Sequence, residues 1–289
     1  MTDLEHAAEE SRAEHHAAGR YFLRFTRGQR YLHAVLFTTF LGLAATGLPL
    51  RFSESIWARG LAKGVGGFGA ILFFHKLFAV ALTLAFMVHL RDIFTRALVD
   101  REKGIFWGPN SMMANWKDVK DLLGHLRWFS GLGPKPQFDR YAYWEKFDYW
   151  AVFWGMIVIG FSGYAMWFAP FFARFLPGWA LNAVLVIHSE EGLLAILFIF
   201  SIHFVNTHLR PDSFPMDMVV FTGVESEEEF KTKRPKEYER LRAQGKLEAR
   251  IAEAPGIWQV NFSKVVGFTA IAIGLVLLAL TLSAYFLGS

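Results

Sequence analysis

The chain has 289 residues, of which 53% are hydrophobic and 17% aromatic, a composition typical of membrane proteins rather than of soluble domains. The formal net charge is only +4, so the distribution of charge along the chain is more informative than its sum. Cysteine is absent, which excludes disulfides, iron–sulfur clusters held by thiolates, and haem attached covalently through a C-x-x-C-H motif.

Residues 1–30 are predicted to form a polar cytoplasmic tail, because they lack the apolar core of a signal peptide. Five apolar segments follow, each of about 20 residues or more, which is enough to cross a hydrocarbon layer about 30 Å thick. We expect the first four to form one bundle within residues 31–222, and the fifth, within 259–289, to pack outside it against lipid or a partner. The predicted spans cover residues 31–50, 68–93, 147–168, 179–207 and 262–287.

Lysine and arginine are concentrated in the tail and in the two long loops that follow the second and fourth spans. The loops after the first and third spans contain few of them, so the positive-inside rule places the N-terminus in the cytoplasm and the C-terminus outside. We therefore expect an all-α integral membrane helical bundle in the cell (inner) membrane of a prokaryote.

Both long loops are predicted to contain helix. Apolar residues recur at helical spacing over residues 112–128, which predicts an amphipathic helix on the cytoplasmic membrane surface. His125 belongs to it and is interpreted as an interfacial side chain, not a ligand. Residues 223–258 are predicted to form a charged cytoplasmic loop with a short helix. Because the basic residues lie at membrane ends, we expect no nucleic-acid partner.

Three of the spans contain histidine, which is costly inside a bilayer and therefore marks candidate functional sites. His188 and His203 in the fourth span are fifteen residues apart, about 22 Å along a helix. His75 and His89 in the second span are fourteen residues apart. The predicted orientation places His75 level with His188 near the outer side. It places His89 level with His203 near the inner side, where the first span adds His33.

Paired imidazoles at two depths predict two haem b groups. Neutral imidazole is a good iron ligand, and two of them per haem give a low-spin centre suited to electron transfer. Histidines that merely join helices by hydrogen bonds are one alternative, but they account poorly for five histidines at two matched depths. A metal transporter is another, but it would usually bring carboxylates or thiols at the same depths.

The chain resembles the cytochrome b subunits of membrane-bound formate dehydrogenases, nickel–iron hydrogenases and thiosulfate-reductase-like complexes. The resemblance covers about residues 20–222 and implies an outer haem between His75 and His188. It also implies an inner haem between His33 and His203, which exchanges electrons with a quinone on the cytoplasmic side. The matching features are RYLH at 30–33, TGL at 46–48, EKFDYW at 145–150, His75, His188 and His203.

The chain departs from this family pattern in three ways. The two histidines of the fourth span are fifteen residues apart where fourteen are expected. His89 adds a second inner-level histidine, as in the quinol-oxidising cytochrome b of bc complexes. His208 is predicted to lie on another face of the fourth span than His203. The inner haem therefore pairs His203 with either His33 or His89, and three haems replace two if all six histidines bind iron.

Other polar residues near these levels are given supporting roles. We expect charged side chains to neutralise haem propionates or to contact a partner, although snorkelling into water is the alternative. A polar turn after the fourth span is the expected quinone site. The charged residues are Arg24, Arg27, Arg30, Lys76, Glu190 and Glu191, and the quinone residues are Asn206, His208 and Arg210.

The sequence therefore predicts a b-type cytochrome that transfers electrons across the membrane between a quinone pool and a partner redox subunit. The partner, with iron–sulfur clusters or c-type haems, would carry out the substrate chemistry of the oxidoreductase complex. One alternative is a stand-alone transmembrane reductase that acts on an external acceptor such as ferric iron. The other is a non-redox membrane anchor or metal transporter.

Overall fold

A computed structural model describes residues 19–211 and 213–286, so most of the predicted tail lies outside the described residues. The described chain is predominantly helical, which confirms the all-α membrane bundle. Within it, five helices are long and apolar enough to cross a membrane, and each overlaps one predicted segment. The first to fifth spans are Arg27–Arg51, Phe68–Val99, Tyr143–Trp167, Gly178–Leu209 and Ile257–Phe286.

The chain divides into two compact units that alternate along the sequence. We call them the membrane unit, which holds most of each span, and the polar unit, which is built mainly from the tail end and the two long loops. The membrane unit consists of Tyr31–Lys103, Phe147–Met216 and Val265–Ser289, and the polar unit of Met1–Arg30, Gly104–Lys146 and Asp217–Lys264, within the described residues.

Three of the spans are α-helices interrupted by π-helical segments. The second span ends in one, Thr95–Val99, and the third contains another, Met156–Gly160. The fourth contains two, Ile199–His203 and Val205–Leu209. In a π segment each backbone N–H bonds the carbonyl five residues earlier instead of four, so the turn holds one extra residue. The π segments therefore change which side chains share a face of the third and fourth spans.

The buried core of the membrane unit joins the first, fourth and fifth spans. Gly274 of the fifth span allows this packing, because a Cβ at this position would lie only 2.7 Å from the ring of Phe204 and 2.9 Å from that of Phe200. The fifth span therefore packs on the fourth along one side, a contact that the sequence did not predict. The core residues are Ala44, Leu48, Leu193, Ile196, Phe200, Phe204 and Leu277.

The outward faces of the spans remain apolar and exposed, as expected for helices in contact with lipid. Two short helices, which the sequence did not predict, follow the first and third spans: Ile56–Val65 and Ala169–Phe172. The first of these is capped by Ser55, whose hydroxyl accepts the backbone N–H of Ala58, and ends at Gly66 in the left-handed conformation.

The polar unit contains a small antiparallel sheet that the sequence did not predict. Its strands are β1 (Tyr21–Leu23), β2 (Val224–Ser226) and β3 (Ile251–Ala252), in the order β2-β1-β3. Strands of two or three residues are too short to show an alternating pattern, which explains why residues 21–23 were assigned to the tail. Phe22 at the centre of β1 is fully buried and packs against Phe230, which makes the sheet part of a small hydrophobic core.

Two helices of the polar unit, Trp116–Phe129 and Glu227–Lys233, begin with a capping box. The predicted amphipathic helix is present but starts four residues later than expected, because Asn115 and Asp118 form a capping box that fixes its first turn. Its apolar side chains, such as those of Trp116 and Leu123, are exposed. The helices and the single 3₁₀ turn of the described unit are Trp116–Phe129, Val219–Thr222, Glu227–Lys233, Pro235–Ala243 and Glu248–Arg250.

A buried ion cluster holds the segments of the polar unit together. The carboxylate of Glu237, 1% exposed, lies 2.9 Å from Arg140, 3.2 Å from Arg234 and 3.4 Å from Arg250. Its other contact is with Arg24, at 3.7 Å. Burial by itself would raise the pKa of Glu237, but the charges of Arg24, Arg140 and Arg234 hold that pKa below its usual value. One carboxylate thus joins the tail end to both long loops.

Candidate functional site

His75 of the second span and His188 of the fourth span face each other in the membrane unit. Their ring centroids are 6.3 Å apart and their planes are at 81°. A metal–imidazole bond is about 2 Å long and the ring centroid lies roughly 1.1 Å beyond the nitrogen, so two imidazoles on opposite sides of one metal ion have centroids roughly 6.3 Å apart. The separation of the two rings is therefore compatible with one metal ion held between them.

The first span fixes the orientation of His75. Nδ1 of His75 lies 2.9 Å from the hydroxyl oxygen of Thr46. That hydroxyl donates its own proton to the carbonyl of Gly42, 2.6 Å away, so it accepts a hydrogen bond from Nδ1–H of His75. The proton on Nδ1 leaves Nε2 with a lone pair, which is the nitrogen a metal would bind.

The third span does the same for His188. Nδ1 of His188 lies 3.0 Å from the carbonyl oxygen of Ile159 and 3.2 Å from the hydroxyl of Ser162. A carbonyl only accepts hydrogen bonds, so Nδ1 carries the proton and Nε2 again has the lone pair. Ile159 belongs to the π segment Met156–Gly160, an irregularity often found at functional sites.

A glycine lies directly against each of these two imidazoles. A Cβ at Gly47 would lie 3.2 Å from Cε1 of His75, and a Cβ at Gly163 would lie 2.9 Å from Cε1 of His188. The rings therefore pack directly on the backbones of the first and third spans. This support, together with the hydrogen bonds to Nδ1, restricts each ring to one orientation.

His203 has a charged partner instead. Its Nδ1–H donates to Oδ2 of Asp148 in the third span, at 2.9 Å. His33 of the first span lies in the neighbourhood of His203 and His208. The structure thus brings His33, His203 and His208 to one region of the membrane unit, with Asp148 beside them.

His89 has a different environment. Its Nε2 lies 2.9 Å from the phenol oxygen of Tyr149, and its ring packs edge-on against the rings of Tyr149 and Phe153. The charged groups that act on it most are Asp92 and Arg96 of its own span. In His75 and His188 the Nε2 atom stays available to a ligand, whereas Nε2 of His89 is hydrogen-bonded to the phenol of Tyr149.

The π segments of the fourth span account for two irregularities in the sequence. Ile199–His203 adds one residue to the turn before His203, so a spacing of fifteen residues from His188 gives the angular relation expected for fourteen. Val205–Leu209 likewise brings His208 beneath His203, with ring centroids 6.4 Å apart. The prediction that His208 lies on another face of the helix is wrong, because it assumed regular α-helix throughout.

The charged residues expected near the outer level have protein partners. Nζ of Lys76 lies 4.9 Å from the centroid of the Trp167 ring. Glu190 forms an ion pair with Arg51 at 2.9 Å, and Glu191 accepts a hydrogen bond from the indole of Trp154 at 3.2 Å. These contacts leave the expected propionate and partner roles as predictions.

The arginines at the start of the first span belong to the polar unit. Arg24 lies in the buried ion cluster and also contacts Glu145 at 3.1 Å. Arg30 donates to the backbone carbonyls of Phe221 and Thr222, at 2.9 and 2.8 Å, and Arg27 is exposed. Arg24 and Arg30 thus have a structural function in that unit, whatever else they bind.

The expected quinone residues lie at the end of the fourth span. Asn206 and His208 are in its last π segment, and Arg210 ends the helix in extended conformation. The carbonyl of Arg210 accepts the backbone N–H groups of Ser213 and Phe214, at 2.9 and 2.8 Å, which forms the predicted turn. Phe214 is exposed at this turn.

Sequence reasoning missed the contribution of the third span, which contains no histidine. It supplies the carboxylate beside His203, the phenol beside His89, and the carbonyl, hydroxyl and glycine beside His188. Polar and small residues in an otherwise apolar span were the available signal. The residues are Asp148, Tyr149, Ile159, Ser162 and Gly163.

The fold and the site define the class of this protein as an all-α helical membrane protein with paired intramembrane histidines. Within residues 19–211 and 213–286, no group of three or more His, Asp or Glu side chains is arranged to hold a metal ion. The chain matches no protein-family model and no curated protein.

Proposed function

We propose that this protein is a b-type cytochrome that transfers electrons across a membrane between a quinone and a partner redox subunit. The observation that carries the proposal is the pair His75 and His188, with a ring separation of 6.3 Å and each Nδ1 occupied by a hydrogen bond. Haem iron needs only two protein ligands, one on each side, and neutral imidazoles presenting Nε2 are well suited to it.

Haem b bound between these residues would supply reversible one-electron chemistry. The protein residues have the task of holding and orienting their imidazoles. Thr46 and Ile159 fix the two tautomers by accepting the Nδ1–H groups, and Gly47 supports the ring of His75 from behind. Such outer contacts commonly change metal affinity by 10–100-fold, so they are part of the proposed site.

For the second haem we favour the pair His33 and His203 over His89 and His203. His33 lies near His203, whereas Nε2 of His89 is hydrogen-bonded to Tyr149. The π segment returns His203 to the angular relation with His188 that the family resemblance implies, whichever histidine is its partner. Two haems per chain follow, with His89 and His208 as neighbours and not axial ligands.

The remaining parts of the proposal concern the quinone site, the membrane and the partner subunit. We infer a quinone site beside the turn at Asn206, His208 and Arg210, since quinone reduction needs hydrogen-bonding groups next to the inner site. We also infer the inner membrane of a prokaryote, a cytoplasmic N-terminus, and a partner subunit that carries iron–sulfur clusters or c-type haems. The distribution of Lys and Arg among the loops supports the orientation.

The test is a pyridine-haemochrome assay, quantified per chain, on protein purified from haem-sufficient cells. We expect two haem b groups in the wild type and one in each of the variants His75→Ala and His188→Ala. His125→Gln is the matched control, because His125 stacks on Phe129 in the polar unit, with parallel rings 4.8 Å apart.

Wild-type protein without haem b would contradict the proposal, and so would an unchanged spectrum and haem content in both His75→Ala and His188→Ala. A stand-alone reductase is distinguished by activity. Purified alone, such an enzyme would reduce ferric iron from quinol, whereas the proposed subunit would need its partner.

A further inference from the structure

We propose that Asp148 is a positioning residue that lowers the midpoint potential of the site at His203 relative to the site at His75 and His188. This inference rests on the proposed haem-binding function. It adds a difference in midpoint potential between the two sites, because the Nδ1–H groups of their histidines have different hydrogen-bond acceptors.

The contact between Asp148 and His203 is sheltered. Their side chains are 13% and 22% exposed, and Oδ2 of Asp148 lies 2.9 Å from Nδ1 of His203. The second carboxylate oxygen, Oδ1, is buried and makes no hydrogen bond within the described part of the chain. The negative charge is therefore directed to the imidazole, and the low polarity of the surroundings strengthens its effect.

The two imidazoles of the other site have neutral partners. Nδ1–H of His75 donates to the hydroxyl of Thr46, and that of His188 donates to the backbone carbonyl of Ile159. A hydrogen bond to a carboxylate is roughly twice as strong as one to a neutral acceptor. A carboxylate partner also makes the imidazole a stronger electron donor to the metal.

A stronger donor and a nearby negative charge both favour oxidised iron, which carries one more positive charge than reduced iron. The site at His203 should therefore give up an electron more readily than the site at His75 and His188. The third span supplies Asp148 and Ile159, and the first span supplies Thr46, so these two helices together set the difference.

The test is a spectroscopic redox titration of the whole protein in detergent, with each signal assigned by the single-site variants His75→Ala and His203→Ala. Asp148→Asn keeps the shape and an oxygen acceptor but removes the charge. We expect the ratio of reduced to oxidised His203 site, at fixed potential, to rise about tenfold, because the lost charge no longer favours oxidised iron. For one electron, tenfold corresponds to about 59 mV upward.

Glu54→Gln is the charge-matched control, because Glu54 is an exposed carboxylate that contacts Arg59 at 3.9 Å and should leave both signals unchanged. The signal of the His75 site serves as the folding control within Asp148→Asn. An upward shift confined to the His203 signal supports the inference. Equal shifts at both sites, or no shift at either, overturn the inference. The proposed function stands in that case if the protein still binds two haems. Absence of haem from the wild type overturns both.

Discussion

Gly163 and His188 are in contact so close that a Cβ at position 163 would lie 2.9 Å from Cε1 of the imidazole and 3.3 Å from its Nδ1. The ring thus packs on the third span at Gly163 and is tied to the same helix by the hydrogen bond to Ile159. Any side chain at position 163 must displace the imidazole or move the helix.

The first prediction concerns this contact. Gly163→Ala should lower haem retention at the outer site about tenfold, as is typical when the support of a metal ligand is lost. The measurement is haem content per chain after dilution into detergent with a haem-scavenging protein. Gly155→Ala is the control, because a Cβ there would meet Ile159 only at the ordinary distance of 3.7 Å. Equal retention in both variants would show that His188 adjusts freely.

The second prediction separates His33 from His89. His33→Ala should lower the haem content from two per chain to one, because it removes a proposed ligand. His89→Ala should retain two, because it removes only a side chain whose Nε2 is bonded to Tyr149. The pyridine-haemochrome assay measures both. Loss of one haem in His89→Ala with two retained in His33→Ala would reverse the assignment.

The third prediction concerns the contact between the fourth and fifth spans. Gly274→Ala should destabilise the detergent-solubilised protein by about 1–3 kcal/mol, because the new methyl group would overpack against Phe204 and Phe200. Thermal unfolding followed by tryptophan fluorescence measures it. Gly69→Ala is the control, since a Cβ at that helical position has open space and should be neutral or stabilising. Equal melting temperatures would mean that the fifth span does not depend on this contact.

The fourth prediction concerns the buried ion cluster. Glu237→Gln should destabilise the polar unit by about 3–5 kcal/mol at pH 7, because it leaves several buried guanidinium groups without their shared carboxylate. Hydrogen exchange of the backbone in β1 and β2 measures the loss of protection. Glu239→Gln, two residues further along an exposed face, should have no effect.

This effect depends on pH with a defined sign. The arginines hold the pKa of Glu237 below its usual value, so its stabilisation is complete above about pH 4.5, the ordinary value, and is lost as the pH falls through the lowered pKa. The stability difference between wild type and Glu237→Gln should therefore shrink below that pH. Burial raises the pKa of Glu225, so its contribution to stability changes with pH in the opposite direction. Wild type and Glu237→Gln must therefore be compared at each pH. A difference that grows on acidification would contradict this account.

The sequence was sufficient to predict the five spans, because long apolar segments have few alternatives in water or lipid. The sequence also paired His75 with His188, whose rings lie 6.3 Å apart, while their depth in a membrane and their role stay predictions. The small sheet could not be predicted, because its short strands come from three distant segments and depend on tertiary contacts of Phe22 and Glu237.

The contacts around the histidines also could not be predicted from the sequence. A calculation at 100° per residue cannot anticipate a π segment, so it misplaced His208 and left the fifteen-residue spacing unexplained. Nothing in the local pattern around Asp148 or Gly163 indicates which imidazole each will contact. Those relations depend on how the third span packs against the second and fourth.

The two π segments Ile199–His203 and Val205–Leu209 change the helical register near the end of the fourth span. Side chains before Ile199 follow one phase of the 3.6-residue repeat. Phe204 follows a phase displaced by about one residue, roughly 100°, and the second segment displaces the residues after it again. A scan of single spin labels along this helix should therefore record a break in the periodicity of lipid exposure between Phe198 and Phe204. Alignment with a chain that lacks the first segment requires a one-residue gap there, or every later residue is compared with the wrong neighbour.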